Sequence, residues 1–270
     1  MADCPWRALL LLALAIMLIG VVNIVRNELT RRELRYSAAV SMAALDNEAF
    51  ASMGAITAPS RTVGDFTKSL SEEEQLGWTK TPRYTPTGYR LAKLPKALRQ
   101  ELLAFHEASL PVQEESSAHL KGDILLASLG GTALEARLAA FLQAALEEWT
   151  SQEELVFINS YGPRTYKSGA TLAAHGDRIR THAVSAIVFV QARNVEKPWP
   201  LQFVANGAAN DDPVVDVFLS ETADVLLYES TQPHGRVEPL RGEEFTAVFF
   251  HWRPAGWDAQ VRTLLGPQES

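Results

Sequence analysis

The sequence predicts a mainly β domain that is flanked by α-helices and preceded by an N-terminal transmembrane helix. Three observations carry this prediction: an apolar run near the N-terminus, two segments with helical periodicity in the middle, and a change of pattern after Thr150. From there the chain consists of short runs rich in Val, Ile, Phe and Tyr, separated by Gly, Pro, Asn and Asp. Two helices followed by about eight short strands indicate helices packed outside a β-sandwich or barrel.

The composition excludes several classes of protein. The chain has 270 residues, 47% of them hydrophobic, and a formal net charge of −7, which allows one sizeable core. Its C-terminal two thirds show no basic stripe, so we expect no nucleic-acid partner. Cys4 is the single cysteine of the sequence. An intramolecular disulfide and a cysteine-based metal site in the core are therefore excluded, and any metal must be held by His, Asp or Glu.

The N-terminal apolar run covers residues 8–25, "ALLLLALAIMLIGVVNIV", with one polar side chain, Asn23. As a helix it would span roughly 27 Å, which matches the hydrocarbon core of a bilayer. We therefore predict a single-pass membrane anchor within residues 1–30, and a cleaved signal peptide is the alternative. Arg7 precedes the run and four arginines follow it, a bias that places the C-terminal side in the cytosol. These four are Arg26, Arg31, Arg32 and Arg35.

The segment after the anchor is predicted as a stem or linker over residues 31–87. Its second half is rich in Pro, Gly, Ser and Thr, with a short helix near residues 71–77. The main domain is predicted over residues 88–258, followed by a C-terminal tail over residues 259–270.

Two helices are predicted at the start of this domain. "LPKALRQELLAFHEAS" places Pro95 at a first helical position, and "TALEARLAAFLQAALEEW" opens with a capping box formed by Thr132 and Glu135. His106 lies on the first of these helices, where we interpret it as a surface or hydrogen-bonded histidine without a catalytic role.

The stretch "HGDRIRTH", residues 175–182, interrupts the strand-like pattern. On an extended chain His175 and Asp177 project to the same side, although this pair alone is also typical of a polar turn. His234 follows 57 residues after Asp177, and in a jelly roll the last strands return beside the first. Two imidazoles and one carboxylate on one face form the facial triad of non-haem Fe(II) oxygenases, which leaves positions open on the metal.

Three stretches together carry a more specific resemblance: "YGPRTYKSGATLAAHGDRIRTHAVSAIVFV", "KPWPLQF" and "LLYESTQPHGRVEPLRGEEFTAVFFHWRP". In their order they resemble the prolyl 4-hydroxylase-like branch of the 2-oxoglutarate/Fe(II)-dependent dioxygenases, over roughly residues 88–254. The resemblance implies a double-stranded β-helix (jelly roll), Fe(II), 2-oxoglutarate as co-substrate, O2 and often ascorbate. It assigns iron binding to His175, Asp177 and His234, and it places Tyr166 near a tyrosine that contacts the co-substrate.

The chain departs from the family pattern at two places. Thr222-Ala223-Asp224 stands where related chains often have Pro-Gly-Asp. Glu243 and Glu244 stand where prolyl 4-hydroxylases usually carry Lys or Arg to bind the far carboxylate of 2-oxoglutarate. A carboxylate buried without a partner is costly, so another cation must take this role.

Arg236 is the predicted replacement, because it lies two residues after His234 and therefore on the same face of a strand. Arg164 is the second candidate, since it precedes Tyr166 by two residues. Arg241 and Arg253 are less suited by their positions in a turn and at a strand end.

Three other residues have open or minor roles in this interpretation. His182 is expected to form a hydrogen bond near the iron-binding strand. His251 points either into the barrel or outward, and Trp199 is expected to pack at the entry of a strand rather than to stack on a substrate.

The leading hypothesis is a membrane-anchored hydroxylase that acts on a protein or small-molecule substrate, with peptidyl proline implied by the family. The alternative is a catalytically silent barrel that binds a metal or a partner at a membrane. A cupin-like enzyme that needs no co-substrate is a third interpretation. The family resemblance favours a domain in the lumen of the endoplasmic reticulum or Golgi, whereas the arginine bias favours the cytosol.

Overall fold

The computed structural model describes residues 61–109, 113–115 and 117–266. The predicted anchor, residues 8–25 within the segment 1–30, lies outside this part of the chain and stays a prediction. Among the residues that are described, no helix combines the length and the apolar character needed to cross a bilayer.

The described part of the chain contains five helices. Their bounds are α1 (Val63–Thr67), α2 (Glu72–Lys80), α3 (Lys96–Ala108), α4 (Ala133–Thr150) and α5 (Trp257–Leu265). The Thr132 side chain accepts a hydrogen bond from the backbone N–H of Glu135, so α4 begins where the sequence predicts. The short helix expected near residues 71–77 is α2, which Ser71 and Glu74 close with a reciprocal capping box.

Twelve strands in the described residues form two antiparallel sheets. The large sheet has the order β1-β10-β7-β12-β5-β4-β2, and the small sheet has the order β3-β6-β11-β8-β9. The strands are β1 (Tyr89–Ala92), β2 (Gln113–Glu114), β3 (Leu120–Lys121), β4 (Ile124–Leu126), β5 (Leu155–Lys167), β6 (Thr171–His175), β7 (Val184–Arg193), β8 (Leu201–Phe203), β9 (Val215–Val217), β10 (Val225–Glu229), β11 (His234–Arg236) and β12 (Glu244–Pro254).

The two sheets face each other across an apolar core, as in a jelly roll. Ile187 and Leu226 of the large sheet belong to the same buried cluster as Leu201 and Phe203 of the small sheet. Eight strands follow Thr150, so the predicted mainly β architecture with flanking helices is confirmed.

Helices α3 and α4 cover the outer face of the large sheet. Leu102 of α3 and Leu142 of α4 form one buried cluster with Val188 and Phe250 of the central strands. Strand β7 is therefore covered on both faces, which explains why its stretch "AIVFV" is continuously apolar rather than alternating.

The segment before β1, which the sequence assigns to the stem, packs on the barrel over residues 61–87. Val63 and Phe66 share a buried cluster with Ala174 of β6. In α2, a Cβ added at Gly77 would meet Ile179 at 3.6 Å, so this helix lies directly against the loop that follows β6. The same loop also contacts α5, in which the Trp257 Nε1–H donates to the carbonyl of Ile179 at 2.7 Å.

Candidate metal centre

His175, Asp177 and His234 lie together on the small sheet. Strands β6 and β11 are antiparallel neighbours in which His234 is the cross-strand partner of His175, and Asp177 follows β6 by two residues. Their potential ligand atoms all lie within 4.8 Å of one another. The Asp177 Oδ1 atom is 3.9 Å from the Nε2 of His175 and 3.7 Å from the Nε2 of His234. The three side chains thus form a triad that could hold one metal ion.

The orientation of both imidazoles is set by backbone carbonyls. The Nδ1 of His175 lies 2.9 Å from the carbonyl of Ala173, and the Nδ1 of His234 lies 2.8 Å from the carbonyl of Gln232. A proton on each Nδ1 satisfies these hydrogen bonds and leaves the Nε2 lone pairs directed at the common point. Such contacts to the second ring nitrogen are the usual way in which proteins orient metal-binding histidines.

The electrostatics of the triad suit a cation. Burial, followed by the neighbouring His234, lowers the pKa of His175 to about 3, so its imidazole is neutral at physiological pH. For Asp177 burial acts to raise the pKa, but the surrounding histidines outweigh it and keep the pKa below its usual value. At neutral pH the triad therefore contains a neutral His175 imidazole and an ionised Asp177 carboxylate.

The second carboxylate oxygen of Asp177 is held from the large sheet. The hydroxyl of Tyr228, on β10, donates to Asp177 Oδ2 at 2.8 Å. His251 points into the barrel, where its Nδ1 is 2.7 Å from Ser185 Oγ and 3.8 Å from Asp177 Oδ2. His182 stacks on His251 with ring centroids 3.9 Å apart.

Arg236 is a buried cation with unused hydrogen-bonding capacity. It is 3% exposed, and it lies two residues after His234 on β11. One terminal nitrogen donates to the carbonyl of Trp199, while the other, Nη2, is buried without a hydrogen-bond partner. The guanidinium lies over the rings of Phe245 and Trp199, and burial lowers the pKa of Arg236 to about 10.

Arg164, by contrast, is fully engaged. Its Nε and Nη2 atoms donate to the two carboxylate oxygens of Glu115 at 2.5 and 2.6 Å, and its Nη1 donates to the Tyr166 hydroxyl at 3.1 Å. This fork-like pairing neutralises the charge of Arg164. Tyr166 is fully buried on β5, and it packs edge-on against Trp199. Trp199 is a packing residue at the entry of β8, as the sequence indicates.

The two departures from the family pattern have structural explanations. Glu244 binds Lys167 at 2.7 Å and Arg193 at 2.7 Å, and Glu243 lies 3.5 Å from the same arginine. Neither glutamate is among the residues that line the cavity described next. At the altered turn, the Asp224 carboxylate accepts a hydrogen bond from the backbone N–H of Leu94 at 2.7 Å, so this aspartate joins β10 to the segment before α3.

A cavity of about 320 Å³ connects the triad to these side chains. Its lining includes all six predicted site residues except Tyr166, namely His175, Asp177, His234, Arg236 and Arg164. It also includes residues to which sequence reasoning gave no site role: Glu115, His119, Asn159, Tyr161, Tyr228 and Phe249. Of these, Tyr228 carried a signal, because it lies in the "YES" motif and in a strand that had to be buried.

His119 is one of the lining residues that no sequence motif indicated. Its ring stacks on His175 with centroids 4.9 Å apart, and its Nε2 lies 3.5 Å from Glu74 of α2. It reaches the cavity from the loop just before β3. Strand β3 is only two residues long. His106 does not line the cavity, and its Nε2 lies 2.9 Å from the Gln191 side chain, so it is the hydrogen-bonded histidine that the sequence indicates.

Comparisons with known proteins gave matches among solved structures only, since no family model and no curated protein matches this chain. HygX from Streptomyces hygroscopicus with nickel, 2-oxoglutarate and hygromycin B bound is 18% identical, covers 63% of this chain and 84% of that chain, and has a TM-score of 0.49. A Pseudomonas putida prolyl-4-hydroxylase is 20% identical, covers 63% and 94%, and has a TM-score of 0.44.

A third match is a prolyl hydroxylase from Trichoplax adhaerens in complex with a peptide fragment of the hypoxia inducible factor oxygen degradation domain. It is 16% identical, covers 64% of this chain and 86% of that chain, and has a TM-score of 0.43. Two of these three proteins are named as prolyl hydroxylases, and the third was solved with 2-oxoglutarate bound.

Proposed function

We propose that this chain is an Fe(II)- and 2-oxoglutarate-dependent oxygenase that hydroxylates an organic substrate. The observation that carries the proposal is the convergence of two histidines and one aspartate, His175, Asp177 and His234, within 4.8 Å on the wall of a cavity. Two imidazoles and one carboxylate are the donor set of non-haem iron oxygenases, so Fe(II) fits these residues. When bound, the metal and the co-substrate supply the oxidising power for C–H hydroxylation.

The roles of the three ligands follow from their surroundings. His175 and His234 keep their Nε2 atoms directed at the metal position, because their Nδ1 atoms are held by carbonyls of their own strands or of the preceding turn. Asp177 brings the negative charge that a divalent cation needs. All three side chains come from β6, the turn that follows it and β11, and they line the same cavity as Arg236.

Arg236 is proposed as the receptor for the far carboxylate of 2-oxoglutarate. A buried guanidinium with an unpaired Nη2 is costly, and a bound carboxylate would supply the missing acceptor. Arg236 also lines the same cavity as the triad. Arg164 is less suited to this role, because its Nε and Nη2 atoms already donate to Glu115 and its Nη1 atom donates to Tyr166. We propose that Arg164 forms the wall beside the co-substrate, and that Tyr166, which accepts a hydrogen bond from Arg164 Nη1, supports this wall from behind the cavity lining.

The substrate side of the cavity combines apolar and polar groups. Ile187, Tyr161 and Phe249 provide apolar surface, while Asn159 and His182 provide hydrogen-bonding groups. This mixture suits either a small molecule or a side chain of a protein. Peptidyl proline is the substrate that the sequence resemblance implies, and it is part of the proposal on that ground alone. Ascorbate is proposed on the same ground as the reductant that keeps the iron in its ferrous state.

The test is the formation of succinate from 2-oxoglutarate by the purified chain in the presence of Fe(II) and ascorbate. Succinate is formed from the co-substrate itself, so the assay can be run without knowledge of the substrate. Wild-type protein should form succinate, and Asp177→Ala should not. The exposed residue Asp211 offers a matched control, and Asp211→Asn should behave as wild type. Iron-independent or absent turnover in wild type would defeat the proposal.

The catalytically silent barrel is the competing function. The sequence observation in favour of it is the acidic pair Glu243 and Glu244, which stands where prolyl 4-hydroxylases usually carry Lys or Arg. Both side chains are paired with Arg193 and lie outside the cavity lining, so they do not repel a bound carboxylate there. The cupin-like alternative would show metal-dependent activity that is indifferent to 2-oxoglutarate.

We also propose that residues 8–25 anchor the protein in a membrane of the endoplasmic reticulum or Golgi, with the catalytic domain in the lumen. The support is the apolar run and the family resemblance, against which the following arginines stand. Protease treatment of sealed vesicles should leave the domain intact until detergent is added. Digestion without detergent would place the domain in the cytosol, and release of the protein by carbonate would exclude the anchor.

A further inference from the structure

Tyr228 touches two of the three proposed metal ligands from the opposite sheet. It is 1% exposed and lies on β10, in the large sheet, where its cross-strand partners are Ser185 and Tyr89. Its hydroxyl donates to Asp177 Oδ2 at 2.8 Å. Its ring meets the ring of His234 edge-on, with centroids 4.9 Å apart and planes at 68°.

The two carboxylate oxygens of Asp177 have different neighbours. Oδ1 is the oxygen that lies 3.9 and 3.7 Å from the Nε2 atoms of His175 and His234. Oδ2 accepts the Tyr228 hydroxyl, and His251 Nδ1, which is hydrogen-bonded to Ser185 Oγ, lies 3.8 Å from it. In this contact the phenol O–H is the donor and the carboxylate oxygen is the acceptor.

We propose that Tyr228 is a positioning residue that restricts Asp177 to coordination through one oxygen. The inference rests on the proposed function, because it concerns the metal that the triad would hold. A carboxylate with a free second oxygen can bind a metal through both oxygens and occupy an additional position. With Oδ2 bound by the phenol, this position stays available for a chelating co-substrate, which needs two adjacent positions of its own.

The effect of removing the hydroxyl follows directly. In Tyr228→Phe the ring can keep its contacts with His234 and Phe203, while Asp177 Oδ2 loses its closest donor. A buried carboxylate oxygen without a donor is costly, and the metal is the nearest alternative partner. The variant should therefore still bind a divalent metal but accept 2-oxoglutarate poorly.

The experiment uses Co(II), which binds such sites without turnover and reports its coordination by visible absorption. Wild type and Tyr228→Phe are loaded with Co(II), their spectra are recorded, and 2-oxoglutarate is titrated by calorimetry. We expect a changed Co(II) spectrum before 2-oxoglutarate is added and a loss of about tenfold or more in 2-oxoglutarate affinity. The affinity for Co(II) itself should fall less than the affinity for 2-oxoglutarate.

Tyr89→Phe is the matched control, because Tyr89 is the cross-strand partner of Tyr228 and packs on the same Phe203, yet does not line the cavity. It should reproduce the wild-type spectrum and affinities. An unchanged Co(II) spectrum and 2-oxoglutarate affinity in Tyr228→Phe would overturn the proposal, as would a variant that no longer unfolds cooperatively. If wild type and Asp177→Ala bind Co(II) equally, the proposed function itself fails instead.

Discussion

His234 lies directly opposite His175 in the antiparallel pair of β11 and β6, with ring centroids 4.5 Å apart. The two residues are 59 positions apart in the sequence, and the small sheet brings them together without any contribution from a flexible loop. Gly235, the residue after His234, allows β11 to lie close to β6. A Cβ at this position would lie 2.9 Å from the carbonyl oxygens of both Ala173 and Leu172.

The first prediction concerns this glycine. Gly235→Ala should displace β11 from β6, because the added methyl group meets backbone atoms that cannot rotate away. We expect a loss of stability of about 1–3 kcal/mol and weaker binding of Co(II), measured by denaturant unfolding and by calorimetry. Gly130→Ala is the control, since its added Cβ would meet only a side-chain oxygen at 3.5 Å. Normal Co(II) binding in Gly235→Ala would show that the strand pair tolerates the extra atom.

The triad was predictable from sequence, but the surrounding network was not. His175 and Asp177 follow from the period of an extended chain, and their partner His234 follows from motif order and family resemblance. Tyr228 comes from a strand of the other sheet, and its contact with Asp177 depends on how the two sheets are stacked. No local pattern encodes this stacking, because it results from the packing of many side chains between the sheets.

The second prediction concerns the co-substrate. Arg236→Ala should raise the Michaelis constant for 2-oxoglutarate strongly, by tenfold or more, because the proposed ion pair is worth about 1.5–3 kcal/mol. The affinity for Co(II) should stay nearly unchanged, since Arg236 donates to the carbonyl of Trp199 and to none of the triad. Arg241→Ala, at an exposed position, is the control. If Arg164→Ala raises the Michaelis constant and Arg236→Ala does not, the carboxylate is bound from β5.

The third prediction concerns the buried pair of Glu115 and Arg164. Their side chains are only 7% and 14% exposed, so removing one partner leaves a charge with little access to water. Glu115→Gln should lower the free energy of unfolding by about 3–5 kcal/mol, measured in denaturant. The exposed pair of Arg193 and Glu243 offers a control, and Glu243→Gln should cost less than about 1 kcal/mol. Equal effects of the two substitutions would show that the buried pair is solvated in solution.

Helices α3 and α4 were predictable from sequence, whereas the packing of residues 61–87 on the barrel was not. The caps and apolar faces of α3 and α4 are local signals, and the structure contains both helices near the predicted positions. The packing of residues 61–87 on the barrel was not apparent, because Pro, Gly, Ser and Thr dominate this segment and its apolar contacts are few. Val63 and Phe66 are buried in a cluster with Ala174, on β6, and Val204, which follows β8.

Asp224 is the basis of a pH prediction that does not involve the metal centre. Its side chain is 1% exposed, accepts the backbone N–H of Leu94, and lies 3.4 Å from Arg99 Nε. Burial outweighs these favourable contacts and raises the pKa of Asp224 from 3.8 to about 6. In the native state the carboxyl group therefore keeps its proton to a higher pH than in the unfolded chain, so between these two pKa values the native state binds more protons.

The fourth prediction follows from the sign of this difference. Since the native state binds the extra proton, the free energy of unfolding should fall as pH rises from about 4 to 6, by up to about 3 kcal/mol from Asp224 alone. Asp224→Asn retains an acceptor for Leu94 but cannot ionise, so this part of the decline should disappear from denaturant unfolding curves measured across that range. Asp211→Asn, at an exposed position, should leave the decline in place. A pH profile of Asp224→Asn that runs parallel to wild type between pH 4 and 6 would mean that the ion pair with Arg99 compensates the burial, and that Asp224 is charged in the native protein throughout.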